Sequence, residues 1–264
     1  MVSYNSFPVN FNIDKALELA NLSNEAYAQY KAWQTKQSWQ LPHGYALESS
    51  IYAVYEKDSM PLGFIASKLQ DIYIVWRGTQ DIEEWIEDAK FDQIKSSFLK
   101  NNEKVAMGFD QMYVTGDAKV DSPQKTVMNY LSKLSANTYK NLWITGHSLG
   151  GALATLNICD IVTNTIHTDA SLYSFAAPRV GDANFATTFD NAVGVSWRVV
   201  NSNDEVPNLP PEHCPPILHT FHYEHVNRCF PITFGNSWNL AKNHSIEGYI
   251  DQLQQIKTSN QVAA

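Results

Sequence analysis

The sequence predicts an α/β fold in which a mainly parallel sheet is flanked by helices. Short runs of β-branched and aromatic residues alternate along the chain with longer segments of helical hydrophobic periodicity. One such run, residues 141–145, leads through a glycine-rich turn directly into a helical segment. The chain has 264 residues, of which 44% are hydrophobic, so it can bury a core around one sheet. We therefore expect a single domain spanning residues 1–264.

The first part of the chain supplies a helix, three strands and a short helix. Apolar residues at helical spacing predict a helix over residues 13–30, and short strands follow at 51–55 and 62–65. In the segment 71–76 every residue after Asp71 is β-branched or aromatic, which predicts a buried strand. The next segment, 82–89, predicts a short amphipathic helix with acidic residues on one face. Its apolar face consists of Ile82, Trp85, Ile86 and Ala89.

The second part continues the alternation of strands and helices. Helical patterns cover residues 122–137, 152–162 and 246–256, the last with an apolar face that includes Tyr249 and Leu253. Strand patterns cover residues 141–145, 171–176, 195–200 and 217–226.

Composition excludes several classes of function. Nineteen Lys and Arg residues against 27 Asp and Glu residues give a net charge of -8, and no basic run offers a nucleic-acid surface. No apolar run approaches the roughly 18 residues of a membrane-spanning helix. Residues 1–5 lack the basic cluster of a secretory signal, so we expect a cytoplasmic chain or a processed secreted form. We expect a monomer without metal or cofactor.

The cysteines and a histidine cluster leave two alternatives open. The three cysteines show no C-x-x-C spacing, but a disulfide between Cys214 and Cys229 is compatible with the sequence. Histidines near them suggest a zinc site, which we consider weaker than hydrogen-bonded histidines around a hairpin. The strand predicted there would send alternate side chains to opposite faces. The histidines concerned are His213, His219, His222 and His225.

A nucleophile is predicted at Ser148. The pattern Gly146-x-Ser148-x-Gly150 lies between a strand and a helix, as in the sharp turn that lifts a serine hydroxyl above a sheet. Such a serine needs a general base and an orienting acid, which in this type of fold follow in the order acid, then histidine. His147 precedes any such acid and is predicted to be structural.

The acid and the base are therefore sought after Ser148. Asp204 lies in a loop just past the strand at 195–200, at the sheet edge where the serine turn emerges, and Glu205 is the neighbouring alternative. His244 lies in a predicted loop before the last helix, which suits a general base. The oxyanion would be bound by the backbone N–H of Leu149 and by the loop that ends at Thr79.

These motifs resemble the class 3 lipases related to filamentous fungal triacylglycerol lipases. The likeness rests on residues 146–154, on residues 76–79 (Trp-Arg-Gly-Thr) and on residues 175–181 (Phe-Ala-Ala-Pro-Arg-Val-Gly). It implies an α/β-hydrolase-type fold with a short helical lid at Ile82, Trp85, Ile86 and Ala89. It also implies Ser148 as nucleophile, Asp204 as acid and His244 as base, with Thr79 and Leu149 in the oxyanion hole.

The function expected from this resemblance is hydrolysis of lipid esters, such as triacylglycerols, through an acyl-enzyme at an oil–water interface. Within the same chemistry the alternatives are a phospholipase A1, a monoacylglycerol lipase and a feruloyl-type esterase. A non-catalytic lipid-binding protein is the alternative from another class. Arg77 and Arg179 belong to the resembling motifs but are expected to make structural contacts only.

Overall fold

A computed structural model describes residues 7–55, 58–79, 91–135, 137–214, 221–226, 228–236 and 239–263. The predicted lid at 82–89 lies outside these residues. Seven helices are described: α1 (Ile13–Gln34), α2 (Met107–Val114), α3 (Pro123–Leu131), α4 (Leu149–Asn164), α5 (Ala183–Ala192), α6 (Leu240–His244) and α7 (Ile246–Ala263). In the described part of the chain, none of these helices is both long and apolar enough to cross a bilayer.

Among the described residues the main sheet has seven strands. Strands β1 (Ala46–Tyr55) and β2 (Asp58–Lys68) run antiparallel at one edge, and β3 (Asp71–Trp76), β6 (Asn141–His147), β7 (Ser171–Phe175), β8 (Val195–Asn201) and β11 (Cys229–Ile232) are parallel. Their order across the sheet is β1-β2-β3-β6-β7-β8-β11. Two small ladders pair β4 (Gln93–Lys95) with β5 (Lys104–Ala106), and β9 (His213–Cys214) with β10 (Phe221–His222). The sheet is thus mixed and mostly parallel, as expected.

The pairing register of the parallel strands determines which loops lie next to each other. Trp76 at the end of β3 is paired with Gly146 in β6, so the segment after Trp76 lies beside the turn at Ser148. Strand β8 ends two strands further along the same edge. Because parallel strands bring their carboxyl ends to one edge, the loops after β3, β6 and β8 converge there.

Both faces of the sheet are covered by helices. In β3, Ile74 and Trp76 belong to a core shared with α4, whereas Tyr73 and Val75 belong to a second core shared with α1 and α7. Successive side chains of a strand point to opposite faces, so burial of both sets requires helices on both sides. The unbroken apolar run that predicts β3 reflects this double burial.

Two predicted elements are shorter than expected. The helix predicted over 122–137 ends at Leu131, because the following N–H groups form tight turn bonds and Ser135 and Thr138 hydrogen-bond each other. The strand predicted over 217–226 is described from Phe221 onward, and there its ladder with β9 covers Phe221–His222. Beyond this ladder, the Tyr223 N–H donates to the Glu212 carbonyl and Glu224 forms a single bridge to Gly181. Cys229 is a free thiol, so no Cys214–Cys229 disulfide is formed.

Asp110 on α2 makes stability depend on pH. Its carboxyl is buried, its Oδ1 atom has no hydrogen-bond partner among the described residues, and burial raises its pKa to about 6. The unfolded carboxyl titrates near 3.9, so stability is fully present below about pH 4 and falls as pH rises through 6. We expect this loss, about 1 kcal/mol after allowance for solvent screening, to be absent in Asp110→Asn. Urea unfolding of the unmutated chain and of Asp110→Asn at about pH 4.5 and 7.5 measures this difference. An equal change in the free energy of unfolding with pH in both proteins would contradict the role of Asp110.

Candidate active site

Ser148 lies in a strained turn between β6 and α4. Its backbone has φ 59° and ψ -128°, which a non-glycine residue adopts only under constraint. The flanking glycines serve close packing: a Cβ on Gly146 would lie 2.2 Å from the Gly150 carbonyl oxygen, and one on Gly150 would lie 2.3 Å from the Trp76 oxygen. The Ser148 N–H donates to the Phe175 carbonyl at 2.9 Å, which fixes the turn on β7. The turn has the geometry predicted for a nucleophile.

Asp204 and His244 form a buried hydrogen-bonded pair. The Nδ1 atom of His244 lies 2.9 Å from Oδ2 of Asp204, and the Tyr249 hydroxyl donates to the same oxygen at 2.9 Å. The backbone N–H of Val206 donates to the other oxygen at 3.0 Å. An aspartate that accepts these bonds holds the Nδ1–H tautomer of His244, which leaves Nε2 as a proton acceptor. Glu205 is exposed, and its side chain accepts from Asn208.

His244 lies at the end of the short helix α6, where the sequence predicts a loop. Two asparagines connect this helix to the Asp204 loop. Asn201 donates from Nδ2 to the Asn243 carbonyl at 2.9 Å, and Asn243 donates from Nδ2 to the Asn203 carbonyl at 2.9 Å. Sequence reasoning missed both residues, because nothing in their local pattern shows that residues 40 apart are joined.

The predicted oxyanion residues lie on either side of Ser148. A Cβ on Gly78 would lie 3.1 Å from Cβ of Ser148, so the segment that carries Thr79 passes directly beside the serine. Leu149 is the first residue of α4, where backbone N–H groups have no partner within the helix. Arg77 is buried and donates to the carbonyls of Pro61 at 2.9 Å and Gly78 at 2.6 Å, as expected for a structural role.

A chain of hydrogen bonds joins α1 to the catalytic loops. His147 Nε2 lies 2.7 Å from the His244 carbonyl, which can only accept, so this nitrogen carries the proton. Its Nδ1 must then accept, and the Tyr27 hydroxyl donates to it at 2.8 Å. Gly78 lies against the Tyr27 oxygen, because a Cβ on Gly78 would be 2.2 Å from it. Burial lowers the pKa of His147 well below its ordinary value, which keeps the ring neutral.

We expect Tyr27→Phe to lower kcat for ester hydrolysis by about fivefold with little change in KM. Loss of the hydroxyl leaves His147 Nδ1 without a donor and so weakens the support that His147 gives to the His244 backbone. We expect this to raise the activation free energy by about 1 kcal/mol. Tyr30→Phe, one turn further along α1, is the control, since within the described part of the chain its hydroxyl bonds only to the exposed Gln34 side chain, from which it accepts. Equal initial-rate losses in both variants would show that the Tyr27 bond has no special role.

Two further residues hold the Asp204 loop. Arg179 donates from Nη1 to the carbonyls of Asn208 at 2.6 Å and Pro210 at 3.0 Å. His225 donates from Nε2 to the Pro207 carbonyl at 2.7 Å, and burial with nearby Arg198 lowers its pKa to about 3. His225 is therefore a neutral structural residue. Among the residues the structure describes, no group of three or more His, Cys, Asp or Glu side chains is placed to hold a metal.

Comparisons with known proteins agree with this geometry. Residues 73–214 match the family described as Lipase (class 3). Phospholipase A1-II 1 of Oryza sativa subsp. indica is 31% identical over 194 residues, which cover 64% of this chain and 49% of that protein. The chain spans about half the length of the curated relatives it matches.

Solved structures give the same result for the fold. A Rhizomucor miehei lipase, a deletion mutant in complex with its propeptide, has a TM-score of 0.66 and 26% identity, covering 84% of this chain and 67% of that one. A triacylglycerol lipase with a serine protease triad as its catalytic centre has a TM-score of 0.61 and 25% identity, covering 77% and 76%. By its matched motifs and by its sheet, the chain belongs to the class 3 lipase family.

Proposed function

We propose that this chain hydrolyses carboxylic esters of lipids through an acyl-enzyme formed on Ser148. The observation that carries the proposal is a strained, buried serine whose neighbour His147 binds the backbone of His244, the histidine of a buried His244–Asp204 pair. Among the described residues, neither Ser148 Oγ nor His244 Nε2 has a hydrogen-bond partner. Buried polar atoms are usually paired, so two unpaired reactive atoms at one edge favour chemistry over a structural role.

The proposed reaction has two halves. His244 Nε2 takes the proton of Ser148 as the serine oxygen attacks the ester carbonyl, and Asp204 stabilises the imidazolium that forms. The N–H of Leu149 and Thr79 bind the oxyanion of the tetrahedral intermediate. His244 then gives the proton to the leaving alcohol as the acyl carbon–oxygen bond breaks. Water, deprotonated by His244, attacks the acyl-enzyme in the second half and releases the fatty acid.

Among lipid esters, phospholipids are the second candidate substrate beside acylglycerols. The similarity of this chain to relatives named phospholipase A1, which are 28–35% identical to it, supports phospholipids as its substrate. The fold of the triacylglycerol lipases favours acylglycerols. Both substrates use the same acyl-enzyme chemistry, so the choice between them depends on what binds the alcohol part of the ester.

Release of fatty acid from micellar phosphatidylcholine, diacylglycerol and triacylglycerol with matched acyl chains tests the proposal. We expect release from at least one lipid at a rate that Ser148→Ala abolishes. Hydrolysis of a feruloyl ester without hydrolysis of any lipid would contradict the lipid substrate. An absence of hydrolysis of all esters by the folded chain would favour a lipid-binding protein instead.

A further inference from the structure

A cavity with both apolar and polar walls adjoins the proposed catalytic residues. It has a volume of about 550 Å³ and lies between the second half of α1 and the junction of α6 and α7. Thr79 and His244 both line it. Ligand cavities in proteins have volumes of roughly 300 to 1,000 Å³, so this cavity can hold part of a lipid.

The remaining walls carry both signs of charge. Asn24 and Lys31 line the cavity from α1, and Ser245 and Glu247 line it from the start of α7. Lys31 and Glu247 are exposed, and among the described residues neither of them forms an ion pair.

The position of the cavity assigns it to the alcohol part of the ester. During hydrolysis the carbonyl oxygen faces the oxyanion residues and the leaving oxygen faces the general base. A space bounded by both Thr79 and His244 therefore lies next to the ester bond. Ala28, Ala241 and Ile246 also line the cavity and offer apolar surface. The charged groups of Lys31 and Glu247 can pair with a polar alcohol but not with an acyl chain.

We propose that this cavity binds the zwitterionic headgroup of a phospholipid, with Lys31 contacting the phosphate and Glu247 contacting the ammonium group. The inference rests on the proposed function and names its substrate class. With a net charge of -8, the chain has no general attraction for anionic headgroups, so recognition of the phosphate depends on a local cation such as Lys31. A headgroup with one charge of each sign matches the two unpaired charges of the cavity.

The test compares three lipids with identical acyl chains in the same detergent micelles: phosphatidylcholine, phosphatidic acid and diacylglycerol. Lys31→Gln should lower kcat/KM by about fivefold on both phospholipids and leave diacylglycerol unchanged. Glu247→Gln should lower kcat/KM on phosphatidylcholine by a similar factor but should not lower it on phosphatidic acid, which lacks the ammonium. Lys36→Gln and Asp251→Asn are the matched controls, since both residues are exposed and neither lines the cavity.

Labelling of Ser148 by a fluorophosphonate distinguishes failure of the headgroup site from failure of the proposed function. If the unmutated chain is labelled and hydrolyses diacylglycerol but not phosphatidylcholine, the headgroup site is wrong and the proposed function stands. The headgroup site is also wrong, and the proposed function stands, if Lys31→Gln slows hydrolysis of all three lipids equally. It is wrong as well if no variant changes the ratio of the three hydrolysis rates. If the unmutated chain is neither labelled nor active on any lipid, both proposals are overturned.

Discussion

Ser148→Ala is expected to lower kcat for lipid ester hydrolysis by about 10⁴-fold or more while the chain stays folded. The acyl-enzyme forms only on the oxygen that this substitution removes, and alanine keeps the Cβ that the turn already accommodates. Initial rates on the best lipid substrate, together with circular dichroism, measure both parts of the expectation.

Ser174→Ala is the matched control for this variant. Ser174 lies in β7, is fully buried, and its Oγ atom also lacks a hydrogen-bond partner among the described residues. It thus reproduces the loss of a buried, unpaired hydroxyl without touching the proposed chemistry. We expect it to retain activity. Retention of more than a tenth of the activity by Ser148→Ala would remove Ser148 from the role of nucleophile.

Asp204→Asn is expected to lower kcat by about 10³- to 10⁴-fold. An asparagine can donate to Nδ1 of His244, which moves the imidazole proton to Nε2 and leaves no acceptor for the serine proton. The N–H of Val206 would still donate to the remaining side-chain oxygen, and the new NH2 group could donate to the Tyr249 hydroxyl oxygen, so the side chain would stay in place. The loss should therefore appear in kcat at constant folding stability rather than as unfolding.

Glu205→Gln is the control for the acid, because Glu205 is adjacent in sequence but exposed to solvent. We expect its rate on the same lipid to change by less than twofold. If Glu205→Gln were the more damaging of the two substitutions, the acid role would pass to Glu205. The hydrogen bond between Asp204 and His244 would then be a structural contact.

The sequence could predict much of this site because its signals are local. The turn at Ser148 follows from glycines at fixed spacing between a buried strand and a helix. Asp204 follows from its position just after a strand that ends at the same sheet edge. The segment 71–76, apolar from Ile72 onward, predicts β3 with the bounds that the structure has, because both faces of that strand are buried.

Other features could not be predicted, because they depend on contacts between distant residues. The bonds from Tyr27 to His147 and from Asn201 to Asn243 join residues 120 and 42 positions apart. The end of α3 at Leu131 depends on side-chain bonds that compete with helix formation. Likewise, the cavity at Lys31 and Glu247 exists only once α1 packs beside α7.

In the proposed mechanism, His244 and Asp204 activate Ser148 to carry the acyl group. Acid quenching of a reaction with a 4-nitrophenyl ester, followed by peptide mass mapping, tests it most directly. We predict a burst of nitrophenol equal to the enzyme present and one acyl adduct, located on Ser148, with both lost in His244→Ala. An adduct on another residue, or full turnover in His244→Ala, would contradict this mechanism.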